Sequence, residues 1–113
     1  IMPSLVGSEM CIRDRDHVNA IAKVRFNSTR PQRVHLGKSD DFTCDLLCLE
    51  PGQEHSATGR CAYYFIAANG VLKTGKEKKN VSMGHFVIFE KDEHHTIINT
   101  SEQRLIILVV YPR

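Results

Sequence analysis

The sequence predicts an all-β fold, either a sandwich or a small barrel, and three observations lead to that prediction. Short apolar segments alternate with the two-residue period of a pleated strand. Residues that favour turns separate these segments at intervals of roughly 8–12 residues. No segment has the apolar spacing of an amphipathic helix, so the 113-residue chain is expected to form one small β domain.

The first half of the chain contains the clearest predicted strand, Phe42 to Glu50. One face of this strand would carry Phe42, Cys44, Leu46 and Cys48, and the other would carry Thr43, Asp45, Leu47 and Leu49. Pro51-Gly52 would end it. Earlier in the chain, Val18 to Phe26 alternates weakly and predicts a first edge strand, and Val34 to Leu36 predicts a short one.

In the second half, aromatic residues make Cys61 to Ala67 a predicted strand, and Asn69-Gly70 is a typical hairpin turn. Val71 to Thr74 would be the returning strand, and Gly75 to Asn80 a basic turn. Gln103 to Tyr111 is the predicted last strand. Because this last strand is apolar on both faces, a lone barrel would expose one row of its side chains. We therefore expect a homodimer in which a second subunit covers that row.

The most informative segment is Gly84 to Asn99, which predicts a strand, a polar turn and a second strand. Residues 85–89 alternate with the period of a strand, and residues 90–93 are charged, so the chain should reverse there. β-branched residues restart a strand at Thr96. His95 stands at the beginning of this second strand, where a side chain can reach an internal cavity.

This segment resembles the second conserved motif of the cupin superfamily: Gly, five residues, Pro, one residue, Gly, two residues, His, three residues and Asn. Gly84, His95 and Asn99 fall on the Gly, His and Asn of that motif. Glu90 replaces the Pro and Asp92 replaces the second Gly, but Asp still suits a turn because it adopts left-handed backbone conformations readily. The resemblance covers roughly residues 30–111. It implies a small, single-domain, cupin-2-like antiparallel β-barrel, which is a double-stranded β-helix similar to the jelly roll.

The first cupin motif supplies two His and one Glu, which join the His of the second motif around a divalent metal. The corresponding segment here is Pro51 to Gly70, and it is degenerate. Counting back from the predicted hairpin places His55 and Ala57 on the two His positions and Cys61 on the Glu position. Counting forward from the preceding glycine places a Thr and an Arg on the His positions instead. The surviving candidate ligands are His95, His55 and Cys61, and the expected cofactor is either none or a weakly bound divalent metal.

The loss of metal ligands favours a small-molecule-binding or non-catalytic barrel, in which the expected ligand-binding residues are His95, His55 and Tyr64. The alternative is a metal-dependent cupin enzyme of the oxygenase or isomerase type, with a rearranged site of His95, His55 and Cys61. A purely structural dimer module is a third hypothesis. The sequence therefore leaves open whether the protein is an enzyme.

Composition and charge exclude several classes of partner. The net charge of +2 is too small to indicate nucleic acid or a membrane surface. No apolar run reaches the ~18 residues of a membrane-spanning helix. The 4 cysteines form no CxxC pair, so a structural zinc site is not indicated. Cys44 and Cys48 are expected to be reduced core residues, which predicts a cytoplasmic protein.

The first 15 residues follow neither a helical nor a strand period, and they lack the pattern of a secretory signal. The run from Ser4 to Arg15 resembles the conceptual translation of a sequencing adaptor fused to metagenomic reads, and a genuine flexible tail is the alternative. We therefore expect residues 1–15 to be an artefactual or disordered leader and residues 16–113 to form the barrel domain. Cys11 is left out of any proposed chemistry for this reason.

Overall fold

Nine strands form the body of the protein, whose structure is a computed structural model that describes residues 18–113. The predicted leader at residues 1–15 lies outside the described residues. The elements are a short 3-10 helix at Ile21–Lys23 and strands β1 (Gln32–Lys38), β2 (Phe42–Leu49), β3 (Glu54–Thr58), β4 (Cys61–Ala67), β5 (Asn69–Thr74), β6 (Lys78–Ser82), β7 (Phe86–Phe89), β8 (His94–Ile98) and β9 (Leu105–Pro112).

The strands make two antiparallel sheets, one with the order β1-β2-β9-β4-β7 and one with the order β3-β8-β5-β6. The predicted all-β antiparallel barrel is therefore confirmed. The strands β1 and β3 are edges of the two sheets, and β6 and β7 are the opposite edges. Each sheet alternates side chains between an inner face, toward the other sheet, and an outer face.

The interior between the sheets has an apolar part and a polar part. Its apolar part is a cluster of buried side chains: Leu47, Leu49, Phe65, Leu72, Val81, Ile97, Leu105, Ile107 and Val109. Asp45 and Tyr63 each pair with Val109, and cross-strand partners share a face, so both side chains point into the same interior. Both are buried, as is His95 on the other sheet. A buried polar group needs a hydrogen-bond partner, so these three residues define where chemistry can occur.

The segment from Val18 to Phe26 is not a strand, and the prediction of a first edge strand is wrong. It contains the 3-10 helix Ile21–Lys23 instead. The side-chain oxygen of Asn19 accepts hydrogen bonds from the backbone N–H groups of Ile21 at 3.1 Å and Ala22 at 3.3 Å. Such local side-chain bonds offer the backbone an alternative to strand pairing.

The Asn69-Gly70 pair is not a hairpin turn, because β4 and β5 belong to different sheets. The chain turns at Ala68, whose φ is 70°, and passes directly from one sheet to the other. Gly70 lies within β5, and a Cβ added there would collide with the carbonyl oxygen of Ile98 on the neighbouring strand β8. Gly70 therefore permits a close approach of two backbones.

The two strands of the central segment form as predicted, but they lie in different sheets, β7 beside β4 and β8 between β3 and β5. The turn between them is stabilised by a hydrogen bond of 2.6 Å from the Glu90 N–H to the Glu93 carboxylate. Asp92 has a φ of 69°, so it takes the left-handed conformation expected of it. This turn places His95 near the beginning of β8, on its inner face.

No helix within residues 18–113 combines the length and apolarity needed to cross a bilayer. The three cysteines in this range, Cys44, Cys48 and Cys61, are free. Cys48 is fully buried, whereas Cys44 and Cys61 are half-buried.

Candidate functional site

His95 is the centre of the polar part of the interior. Its side chain is fully buried, and its ring stacks on Phe89 with a centroid distance of 4.0 Å and an interplanar angle of 9°. The Nε2 atom lies 2.6 Å from the hydroxyl oxygen of Tyr63, and Nδ1 lies 3.4 Å from the carbonyl oxygen of Glu93. Both nitrogens of the ring therefore have partners within the protein.

These partners determine the protonation of the ring. Burial lowers the pKa of His95, so the imidazole is neutral near neutral pH. The Glu93 carbonyl can only accept, so Nδ1 carries the proton and Nε2 accepts from the Tyr63 hydroxyl. Burial raises the pKa of Tyr63, which keeps that hydroxyl protonated.

Cys61 lies beside the same pair, with its sulfur 3.7 Å from Nε2 of His95. Burial raises the pKa of the Cys61 thiol, so the thiolate is disfavoured. A thiol without a metal beside it needs a lowered pKa to act as a nucleophile near neutral pH. The cluster of Cys61, Tyr63 and His95 is therefore a neutral hydrogen-bonded network.

His55 lies on β3 and faces the interior, because it pairs with the fully buried Ile97. Its Nε2 atom is buried and has no hydrogen-bond partner among residues 18–113. Burial is the main cause that lowers its pKa, and the positive charge of Arg33 and the ring of His95 act in the same direction. An unpaired buried polar atom is rare, so His55 differs from His95, which is satisfied internally.

Tyr64 does not enter the interior. Its side chain is 43% exposed on the outer face of β4, whereas its neighbour Tyr63 is buried on the inner face. The pairing of Tyr63 with Val109 sets this alternation. The tyrosine of the interior is therefore Tyr63, and Tyr64, one of the expected ligand-binding residues, faces away from the interior.

A second cluster, which the sequence analysis did not identify, surrounds Asp45. This buried carboxylate accepts hydrogen bonds from Arg33 Nε at 2.7 Å and from the Tyr111 hydroxyl at 2.9 Å, both to Oδ2. His35 Nδ1 lies 3.0 Å from its Oδ1. Burial would raise the pKa of Asp45, but the hydrogen bonds from Arg33, His35 and Tyr111 outweigh it and hold the pKa below its usual value. The sequence feature that could have indicated this cluster is Asp45 itself, a charged residue on the face of β2 that also carries Leu47 and Leu49.

A groove of about 740 Å³ opens between β6 and β7, where the two sheets are not joined by hydrogen bonds. We call it the β6–β7 groove. Its apolar lining is Leu72, Val81, Phe86, Val87 and Ile88, and its polar lining includes Thr74, Glu77, Lys79, Asn80 and His85. Thr74, which lines the groove, is the cross-strand partner of His95. This end of the groove therefore lies next to the strand that carries the buried histidine.

The fold is similar to that of several solved structures. A protein of Thermus thermophilus superimposes with a TM-score of 0.79 at 20% identity, over 87% of this chain and 98% of that chain. A cupin superfamily protein of Desulfitobacterium hafniense gives a TM-score of 0.72 at 14% identity, over 87% and 92% of the two chains. The fold is that of the cupins.

A further cupin-like neighbour is a predicted oxalate decarboxylase of Thermotoga maritima, with a TM-score of 0.63 at 20% identity, over 77% of this chain and 95% of that chain. No protein-family model and no curated protein matches the sequence. At these identities, the structural likeness establishes the cupin fold and leaves the activity open.

The donor set that cupins commonly use for a metal does not assemble in this barrel. Among residues 18–113, no group of three or more His, Cys, Asp or Glu side chains is arranged to hold a metal ion. The Nε2 atom of His95, which would have to face a metal, is bonded to the Tyr63 hydroxyl. His55, His95 and Cys61 therefore do not fit a metal centre in this conformation.

Proposed function

We propose that the protein is a non-catalytic cupin barrel that binds a small molecule in the β6–β7 groove. The observation that supports this proposal is the size and lining of the groove. Its volume of about 740 Å³ lies within the roughly 300–1,000 Å³ of small-molecule sites. A lining that combines apolar side chains with polar groups is typical of such sites, because the apolar side chains provide affinity and the polar groups orient the ligand.

The groups around His95 argue against catalysis. General acid–base chemistry needs a group whose pKa lies near the working pH, and nucleophilic chemistry needs an activated thiolate or alkoxide. Burial moves the pKa of His95 down and those of Cys61 and Tyr63 up, so all three are neutral near pH 7. In this proposal, His95 supports the wall of the groove through Thr74 and does not react.

The groove is tested with indole, a neutral probe with the size and apolar character that the groove favours. Indole should shift the backbone amide NMR signals of residues 72–88, and Asn80→Trp should weaken its binding at least tenfold by filling the groove. Lys78→Trp is the matched control, because Lys78 is exposed on the same strand and does not line the groove. Equal affinity in both variants, or shifts elsewhere in the barrel, would contradict the proposal.

The alternative is a metal-dependent cupin enzyme, and the approach of Cys61 to within 3.7 Å of His95 Nε2 is the observation that favours it. Metal binding would require the Tyr63 hydroxyl to leave His95 and the thiol to ionise. Affinity falls steeply as ligands and their supporting partners are lost. We therefore expect well under one metal per chain by elemental analysis of tag-free protein. One tightly held transition metal per chain, lost in His95→Ala, would overturn this expectation and favour the metal-dependent enzyme.

We also propose a homodimer through the outer face of the five-stranded sheet. Tyr64 pairs with both Leu108 and Phe86, which places a row of apolar side chains side by side on that face. Phe86 and Ile88, which also line the edge of the β6–β7 groove, are each 60% exposed. Large exposed apolar patches are typical of interfaces. A cytoplasmic location is part of the same proposal, because a reducing compartment suits the three free cysteines of residues 18–113.

Sedimentation at micromolar concentration should give about twice the mass of one chain, and Tyr64→Glu should convert the protein to a monomer by placing a charge in the interface. Lys73→Glu, an exposed position on β5 of the other sheet, should remain dimeric. A monomeric wild-type protein would rule out this interface.

A further inference from the structure

The strand β7 is an edge of the five-stranded sheet, and its residues line the β6–β7 groove. Its sequence, Phe-Val-Ile-Phe over residues 86–89, has no charge and no proline, and its pairing with β4 has no bulge. Charges, prolines and bulges protect natural sheet edges, because an unpaired edge strand pairs readily with another chain. The other edges carry such features: a bulge after His35 on β1, Glu54 on β3, and Lys78 and Lys79 on β6. The edge at β7 is therefore the one best suited to pair with a further strand.

The backbone groups of Phe86 and Ile88 form the free edge of β7. In an antiparallel ladder, successive residues turn their N–H and C=O groups alternately toward the partner strand and away from it. The carbonyl oxygen of His85 accepts a hydrogen bond of 3.0 Å from the Phe65 N–H on β4, so His85 faces β4. Val87 therefore also faces β4, and the residues on either side of it turn their backbone groups away. Within residues 18–113, β4 is the only partner strand of β7, so these groups have no ladder partner.

The space beside this edge is a cavity that opens from a tight turn. Ser82 and His85 close the turn, since the His85 N–H donates to the Ser82 carbonyl oxygen at 3.0 Å and the Ser82 N–H donates to His85 Nδ1 at 3.3 Å. Beyond the turn, β6 and β7 continue in different sheets, and the groove of about 740 Å³ lies between them. The unpaired backbone groups of β7 therefore border a volume typical of a ligand site.

We propose that the ligand of the β6–β7 groove is a short apolar peptide that adds an antiparallel strand to β7. This inference rests on the proposed function, in which the groove is the ligand site. Two residues of the peptide would exchange hydrogen bonds with the N–H and C=O groups of Phe86 and Ile88. Because Phe86 and Ile88 are two positions apart, three peptide residues are enough to make both pairs.

The side chains around β7 determine which peptide fits. Cross-strand partners share a face, so the first and third peptide side chains would lie beside Ile88 and Phe86, which are apolar and exposed. The middle side chain would lie beside Val87, which packs against the core, on the side where Leu72 and Val81 line the groove. All three positions therefore favour an apolar side chain, and a β-branched residue suits the extended conformation.

The probe is N-acetyl-trivaline amide, and the measurement is amide hydrogen exchange of the wild-type protein by NMR. In the free protein, the N–H groups of Phe86 and Ile88 should exchange much faster than those of Val87 and Phe89, which face β4. Excess peptide should slow exchange at Phe86 and Ile88 at least tenfold. Unchanged exchange would overturn the proposal. Slow exchange at both residues before peptide is added would also overturn it, because the edge would then already be paired, within the chain or with a second copy.

Two methylated peptides test whether strand pairing holds the ligand. Methylation of the third valine nitrogen removes an N–H that would face β7, and it should weaken binding at least tenfold. Methylation of the second valine nitrogen is the matched control, because that N–H would face away from β7. It should weaken binding by less than about threefold. Equal losses for the two peptides would show that the ladder does not form and would overturn the proposal.

A protein variant tests the same hydrogen bond from the other side. Ile88→Pro removes an N–H that faces away from β4, a position where an edge strand tolerates proline, and it should weaken peptide binding at least tenfold. Lys78→Pro is the matched control on the β6 edge. Its N–H also faces away from the partner strand, because the Thr74 N–H donates to the Glu77 carbonyl oxygen at 2.8 Å, and Lys78 does not line the groove. Loss of binding in Lys78→Pro, or full binding in Ile88→Pro, would overturn the pairing with β7.

Indole separates this inference from the proposed function. Indole that shifts the amide signals of residues 72–88, together with a peptide that leaves exchange at Phe86 and Ile88 unchanged, would overturn the peptide and leave the groove as a ligand site. Failure of both probes would contradict the groove itself. If Ile88→Pro does not fold, as its melting temperature would show, the two methylated peptides still decide the proposal on the wild-type protein.

Discussion

His95→Ala should lower the free energy of unfolding by about 3 kcal/mol. The substitution removes a fully buried ring stacked on Phe89 at 4.0 Å, so it leaves a cavity that the surrounding strands cannot fill completely. It also leaves the Tyr63 hydroxyl buried without its partner at 2.6 Å, which adds a desolvation cost. Chemical denaturation followed by fluorescence or circular dichroism measures the change.

His94→Ala is the control for this experiment. His94 is the adjacent residue on β8, is exposed, and makes a hydrogen bond of 2.8 Å to Thr58 on the outer side. His94→Ala should lower the free energy of unfolding by less than about 1 kcal/mol, as expected for the loss of an exposed hydrogen bond. The double variant Tyr63→Phe/His95→Leu should recover part of the stability lost in His95→Ala, because it removes both polar partners together. A loss below about 1 kcal/mol in His95→Ala would show that the ring is not a structural part of the core.

Strands with an unbroken apolar pattern could be predicted from sequence. Cys61–Ala67 forms over the predicted residues, and the strand predicted from Phe42 forms over Phe42–Leu49. The turn at Asp92 was also predictable, because few residues other than Gly, Asn and Asp take a positive φ readily. In these cases, the local chemistry and the final fold favour the same conformation.

The direction of individual side chains was less predictable. Tyr63 and Tyr64 are neighbouring aromatic residues in an apolar run, so no polar residue indicated which of them faces inward. Pairing with β9, more than 40 residues later in the chain, decides it. The strand β3 was missed because it is short, polar and at a sheet edge, where three of its five residues are exposed.

The candidate sites depend on contacts between distant strands. Arg33 meets Asp45 and Tyr111, and these three residues come from β1, β2 and β9. The groove exists because β6 and β7 end up as unpaired edges of different sheets. Neither arrangement has a local pattern in sequence, so sequence reasoning could select His55, Cys61 and His95 but not Tyr63, Arg33 or the groove residues.

Gly70→Ala should destabilise the protein by several kcal/mol, about 3 or more, and should reduce the yield of folded protein. The added methyl group would collide with the carbonyl oxygen of Ile98 and press on Leu105 at 3.3 Å. Because the first contact is with backbone, relief requires β5 and β8 to separate, which breaks ladder hydrogen bonds beside the core. The side-chain contact alone could be relieved by a rotamer change.

Gly75→Ala is the matched control for Gly70→Ala. Gly75 follows the same strand, has no heavy atom within 4 Å of an added Cβ, and does not have a positive φ. Alanine there should be neutral or slightly stabilising, since it restricts the unfolded chain. Thermal unfolding of the two variants beside the wild-type protein gives the comparison. Similar melting temperatures for Gly70→Ala and Gly75→Ala would contradict the close approach of β5 to β8.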